Sequence, residues 1–187
     1  VHRLFRLCPV YLGSMKRLLL LLFPLLWLQN GMAQDYIPFP TDGAIWVNTY
    51  YGVVFNPPNP IPDMPLLGVE NFCTSGMDTT INNETYTQVH FCGGAYKGAI
   101  RDNGGQWMYV PLDSTTEYLL YDFISPAGTT LQDVYVEGYD GYFTGLWDFT
   151  INSVDSVMID GSYRRQTHLE GGAMPWVEGI GNLQGLF

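Results

Sequence analysis

DTTINNETYTQVHFC, Asp78–Cys92, is the stretch whose reading decides the fold class. Thr79, Thr80 and Ile81 favour extended backbone, because branched side chains fit a pleated surface. Asn82-Asn83 follows, and asparagine tolerates the positive φ that both central positions of a two-residue type I′ turn require. Glu84 to Phe91 then alternates, placing Thr85, Thr87, Val89 and Phe91 on one face. The pattern predicts a β-hairpin. A shorter version returns in DSVMIDGSYRRQTHL, Asp155–Leu169, around the stronger turn signal Asp160-Gly161. In both, Ile stands before the turn (Ile81, Ile159) and Tyr after it (Tyr86, Tyr163). Two such hairpins do not form the short-period array of a solenoid or propeller.

The first hairpin is flanked by Cys73 and Cys92. With a two-residue turn at Asn82-Asn83, Ile81 faces Glu84, and an unbroken register brings Cys73 opposite Cys92. A disulfide there would staple the open end of the hairpin, stabilising it by roughly 2–4 kcal/mol. Gly76 is the position that would break this register, and a hydrogen-bonded pair holds its side chains farther apart than a disulfide prefers. The competing reading, a metal site with His90, lacks a fourth ligand. The sequence therefore nominates no metal site.

Working outward to the N-terminus, Met15-Lys16-Arg17 precedes an apolar run, Leu18 to Leu28, and Gly31-Met32-Ala33 closes it. A basic start, a short apolar run and a small-residue end describe a secretory signal peptide over 15–33. The run is short for a bilayer span and contains Pro24. No lipobox cysteine follows it, so lipid anchoring at that end is not expected. Val1 to Ser14, with Cys8, are expected to lie upstream of the true start. Cleavage after Ala33 leaves 34–187 as a single all-β domain in an oxidising compartment, with no membrane span in the mature chain. All 18 acidic residues lie after the leader, whereas Arg3, Arg6, Lys16 and Arg17 lie before its end, so the mature chain is more acidic than the net −10 of the whole. That excess opposes nucleic-acid and anionic-membrane binding. The expected partners are the export machinery and, at the cell surface or in the medium, a glycan or a protein.

The rest reads as short strands between turns. Ala44–Phe55 is a strand candidate, and Asn56–Pro65 is a proline-rich loop, since proline cannot donate to a ladder. Gly93–Gly105 reads as turn-rich, anchored by Tyr96, Ile100 and Arg101. Gln106–Val110, Glu117–Phe123, Leu131–Glu137 and Leu146–Ile151 are further strands, and Leu119 to Tyr121 suggest burial on both faces. No segment shows 3.6-residue periodicity. The expected fold is an antiparallel meander of hairpins rolled into a barrel-like or sandwich domain.

Four segments together carry a family resemblance: DTTINNETY (Asp78–Tyr86), LLYDF (Leu119–Phe123), VDSVMIDGSYRR (Val154–Arg165) and WVEGIGNLQGLF (Trp176–Phe187). The order resembles uncharacterised exported proteins of the Bacteroidetes, many of which carry a C-terminal sorting domain for type IX secretion. The resemblance covers most of Asp78 to Phe187, and its most specific part is the tail pattern W-x-E-G-I-G-x-x-x-G-L. It implies export, and it implies no function for any residue. Asn83 stands where the pattern has Gly, and no sorting domain follows Phe187; the chain is expected to be truncated at that end.

Chemistry is sparse. Asp140, Asp148, Asp155 and Glu178 are the carboxylates available for a hydrolytic pair, but spacing alone sets no separation between them. No Gly-x-Ser-x-Gly elbow is present. His90 and His168 occupy equivalent late positions of the two hairpins, each sharing a face with a glutamine (Gln88, Gln166), and read as exposed strand residues. Acidic oxygens near Asp140 or Asp155 could attract Ca²⁺, yet no twelve-residue EF-type loop exists. Gly179, Gly181 and Gly185 do not have phosphate-loop spacing. The tail motif, Trp176, Glu178, Gly179 and Gly181, reads as a close-packed turn. In it Trp176 and Ile180 are buried, and Glu178 caps an amide or pairs with Arg101, Arg164 or Arg165. Tyr139, Tyr142, Phe143 and Trp147 gather in a Gly-rich segment. Trp147 and Trp176 are expected in the core, and Tyr139 and Tyr142 are the candidate binding residues, since exposed aromatics stack on sugars or proteins. No catalytic residue and no cofactor is nominated. The function expected is a secreted or cell-surface, non-enzymatic structural or binding domain. A secreted hydrolase of glycan or peptide and a small-ligand carrier with a barrel cavity are the alternatives.

Overall fold

Turn chemistry sets the two hairpins. Asn82 and Asn83 adopt φ of 52° and 68°, and Asp160 and Gly161 adopt 51° and 79°, as type I′ turns require. The computed structural model describes residues 35–52, 65–138 and 144–187. The leader with its cleavage site, nearly all of the proline-rich loop, and Tyr139, Asp140, Tyr142 and Phe143 lie outside the described residues. The strands are β1 (Asp42–Tyr51), β2 (Leu66–Ile81), β3 (Glu84–Phe91), β4 (Tyr96–Asp102), β5 (Gln106–Pro111), β6 (Tyr118–Asp122), β7 (Thr130–Val136), β8 (Gly145–Ile159), β9 (Ser162–Leu169), β10 (Trp176–Val177) and β11 (Gly181–Asn182). They form one sheet in chain order, curled into a half-barrel, within one unit, Tyr36–Phe187. The barrel-like alternative, not the sandwich, is what forms.

The first hairpin keeps the expected register only near its turn. Ile81 faces Glu84 and Asp78 faces Thr87, but a bulge between Thr74 and Asp78 shifts the ladder, so that Cys73 faces His90 and not Cys92. Gly76, at φ 70°, lies in that bulge. The disulfide forms nonetheless, as a diagonal Cys73–Cys92 link with Cα atoms 5.2 Å apart. Cys92 comes within reach because its amide donates to Asn71 O at 2.8 Å, just past the end of β3. The bond closes a loop with a sequence separation of 19. Reducing it is expected to cost about 3 kcal/mol. Thermal unfolding with and without reductant checks this, and an unchanged midpoint would show that the hairpin is held without the bond.

Two elements depart from the sequence reading. The segment read as turn-rich contains a central strand, β4, with Ala99 and Ile100 buried. Its Gly98 is not a turn residue: a Cβ there would lie 2.6 Å from the Tyr109 ring and from Val110 O, so only glycine lets β4 and β5 approach. The second departure is that β6 and β7 pair in parallel, at Leu119 and Val134, while the other neighbouring pairs are antiparallel. Asp122, fully buried, turns the chain there. It accepts from the amides of Ile124 and Ser125 at 2.9 and 2.7 Å, from Ser125 Oγ at 3.0 Å, and from Gln106 Nε2 at 2.7 Å. The link after it is pinned to β8 by Gly128 N to Ile151 O and Ile151 N to Thr129 O.

The concave face holds the main core, dominated by rings: Phe39, Trp46, Phe72, Trp107, Tyr109, Tyr121, Phe123, Tyr135 and Trp176. A satellite cluster of Tyr86, Ala99 and Val110 forms separately. The tail fills the space that a closed barrel would give to further strands. Trp46 Nε1 donates to Ile180 O at 2.7 Å, and Leu186 N donates to Asn48 Oδ1 at 2.6 Å, so β1 is tied to the chain end by side chains. Gly185 packs so closely that a Cβ would sit 1.9 Å from Asn48 Oδ1. Trp176 is buried, whereas Ile180, expected in the core, is only partly so.

Candidate functional site

The concave face of the half-barrel opens into a cleft of about 280 Å³ between its later strands and the tail. Four elements build its wall. β6 contributes Leu120 and Tyr121, β7 contributes Val134, Tyr135 and Val136, β8 contributes Phe149, and β9 contributes Leu169. Met174, Trp176, Asn182, Gln184 and Phe187 come from the chain beyond β9. A bulge between Leu131 and Val134, with Asp133 at φ 54°, turns the end of β7 toward the cleft. The rings meet mostly edge to face, with Phe149 to Trp176 at 6.0 Å and Tyr121 to Trp176 at 5.2 Å.

An ion pair braces the wall from behind. Lys97 and Glu137, with side chains only 17% and 10% exposed, bond to each other. The Lys97 ammonium lies 5.3 Å from the Phe91 ring and 5.8 Å from those of Phe72 and Phe187, within cation–π range of all three. Tyr135 OH donates to Glu137 Oε2 at 3.1 Å. Burial, and then the charge of Glu137, push the Tyr135 phenol well above the usual tyrosine range, so it remains a protonated donor. Tyr109, beneath the same rings, is pushed up mainly by burial.

The nominated residues fall elsewhere. Trp147, expected in the core, is 52% exposed. It pairs with buried Val134 across the β7–β8 ladder, but its own ring stays half exposed. Asp148 Oδ1 accepts from Asp133 N at 3.1 Å, and Asp155 pairs with His168 at 3.2 Å on the exposed second hairpin. His90 contacts Gln88 at 3.1 Å. Glu178, 4% exposed, accepts from Ile37 N at 2.7 Å and Arg165 N at 3.0 Å. Arg164 Nη1 donates to the Glu178 backbone carbonyl, and Arg101 forks onto Glu117 at 2.8 and 3.0 Å. Gly179 packs on Ile37, and Gly181 lies beneath the Tyr121 ring. The tail motif thus positions Trp176, Asn182 and Phe187 at the cleft. Candidate residues Tyr139 and Tyr142 lie outside the described residues. Among the described residues, no group of three or more His, Cys, Asp or Glu side chains is clustered to hold a metal ion.

Lys97 and Glu137 were not singled out by the sequence, although Lys97 is the only lysine after Lys16. A lone lysine in a Gly-rich segment carries no sign that it points into the sheet.

No family model, no curated protein and no solved structure matches this chain. What the cleft can do therefore rests on its own chemistry. None of the described residues lining it is Asp, Glu, His, Cys, Ser, Lys or Arg, so the lining supplies apolar faces, two side-chain amides, the phenols of Tyr121 and Tyr135 and the indole of Trp176. No helix among the described residues is long and apolar enough to cross a membrane.

Proposed function

We propose that this chain is an exported, non-enzymatic binding domain whose aromatic cleft takes a small, uncharged, largely apolar ligand. The observation that carries this reading is the cleft lining: rings, aliphatic side chains and two amides, with no side-chain carboxylate, imidazole, thiol or amine among the described residues and with the phenols of Tyr121 and Tyr135 each donating to a protein oxygen. Its volume suits a small ligand, and its lack of charge in a chain of net −10 favours a neutral one. Export rests on the leader pattern over 15–33 and on the resemblance of the tail and hairpins to exported proteins. The hydrolase alternative requires two carboxylates facing a substrate, and no described residue of this cleft is acidic.

The test is a fluorescence titration of the protein with N-phenyl-1-naphthylamine, a neutral apolar probe. Saturable one-site binding is expected. Met174→Asp is expected to weaken it at least tenfold while leaving the thermal midpoint in place, because Met174 is 44% exposed and lines the cleft. Absence of saturable binding, or equal binding by the variant, overturns the proposal.

A further inference from the structure

Two short ladders share β10 beside the cleft, and their registers line up. Trp176 on β10 faces Thr167 on β9 and Asn182 on β11. Residues directly opposite across a ladder project to the same side, with Cβ atoms about 4.5–5.5 Å apart. Thr167, Trp176 and Asn182 therefore form one row across three strands. The row lies on the inner side of the sheet. Leu169, two residues on from Thr167 and so on its face, lines the cleft together with Trp176 and Asn182.

Each member of the row carries a hydrogen-bond donor. Thr167 is fully buried, and its hydroxyl has no partner among the described residues. Such a group costs stability, and folded proteins keep few of them. Asn182 is oriented by the chain that follows it. Its Oδ1 accepts from Gln184 N at 2.9 Å, which directs its NH₂ away from that turn. Among the described residues, neither this NH₂ nor the Trp176 indole N–H meets an acceptor. The phenols of the lining are committed instead, Tyr121 to Leu186 O and Tyr135 to Glu137. The cleft thus combines an apolar wall, with Leu120, Val134, Phe149 and Met174, and a strip of N–H donors.

Donors without a cation beside them suit an acceptor that is polar but uncharged. An anionic ligand would meet no lysine or arginine in this lining, in a chain of net −10. A carbonyl oxygen has two lone pairs and no proton of its own to satisfy, so it can accept from the indole and the amide together. We infer that the ligand of the cleft is a neutral carbonyl compound, with an apolar body against the wall and a ketone, aldehyde or ester oxygen accepting from Trp176 Nε1 and Asn182 Nδ2. This deepens the reading of the cleft as a ligand site and rests on it.

The experiment compares two ligands of one shape by displacement of N-phenyl-1-naphthylamine from the full chain. One is 1-acetonaphthone; the other is 1-isopropenylnaphthalene, which has CH₂ in place of the carbonyl oxygen. The parent is expected to bind the ketone at least tenfold tighter, because the hydrocarbon leaves the donors unpaired. Asn182→Asp keeps an oxygen for Gln184 N but removes the NH₂. It is expected to lose most of that preference while holding the hydrocarbon to within about twofold of the parent. Infrared spectroscopy of the parent needs no variant: the carbonyl stretch of the bound ketone is expected below its frequency in hexane. Equal affinity for the two ligands in the parent overturns the inference and leaves the reading of the cleft standing. A bound carbonyl at its hexane frequency overturns it as well, as does a full preference retained by Asn182→Asp. If neither ligand displaces the probe, the reading of the cleft falls, and the inference with it.

Discussion

Replacing Glu178 by alanine is expected to destabilise the domain by about 3 kcal/mol, because two backbone amides lose their acceptor, each at roughly 1–3 kcal/mol. The carboxylate sits at a junction of three segments. Its Oε1 holds Ile37 N at the chain entry, its Oε2 holds Arg165 N on β9, and its own backbone amide donates to Arg165 O at 2.9 Å. Glu178→Gln keeps the shape but turns an NH₂ toward one of the two amides, so about half the loss is expected. The order parent, glutamine, alanine in denaturant midpoint checks this. Hydrogen exchange adds a second readout, since the entry segment and tail should lose protection before the central strands. Equal midpoints for all three proteins would show that the entry segment and tail hold without the carboxylate.

Lys97→Ala is expected to lower stability by about 3 kcal/mol, because it leaves Glu137 desolvated and unpaired. That corresponds to a fall of about 6–12 °C in Tm for a domain of this size. Three rings, those of Phe72, Phe91 and Phe187, also lose the ammonium beside them. The double variant Lys97→Met with Glu137→Leu removes both charges and is expected to recover most of the loss, as apolar replacements of buried pairs commonly do. Recovery is expected to be incomplete, because Tyr135 OH then lacks its acceptor. If the single variant melts with the parent, the pair does not brace the wall of the cleft.

Local chemistry made the hairpins legible. Asn82-Asn83 and Asp160-Gly161 dictate their turns through the positive φ they tolerate, and alternation dictates the strands beside them. In the second hairpin the register from Ile159–Ser162 runs unbroken to Ser153–His168. In the first it fails after Asp78, because a bulge adds residues to one strand only, and a count outward from the turn cannot carry past it. The cysteines still meet, but diagonally. Gly98 and Gly93–Gly94 look alike in sequence, yet the former lies inside β4 and the latter pair in the turn before it. Strand glycine and turn glycine are distinguished by what lies across the sheet.

The cleft was hidden for the same reason. Tyr135, Phe149, Trp176 and Phe187 are spread over more than fifty residues, and nothing local marks them as neighbours. Trp147 read as core from its apolar character, and it does stand opposite buried Val134, yet its ring is left half exposed.

The sequence by itself determined the all-β class, the two type I′ hairpins, the pairing partners of the disulfide and the turn-like nature of the tail, because each rests on contacts between residues close along the chain. Only the tertiary structure decided that the sheet stops as a half-barrel, that β6 and β7 run parallel, that Lys97 points inward to Glu137, and that the tail ties to Trp46 and Asn48. Those depend on which distant surfaces meet once bulges have shifted each register, and backbone preference carries no record of that.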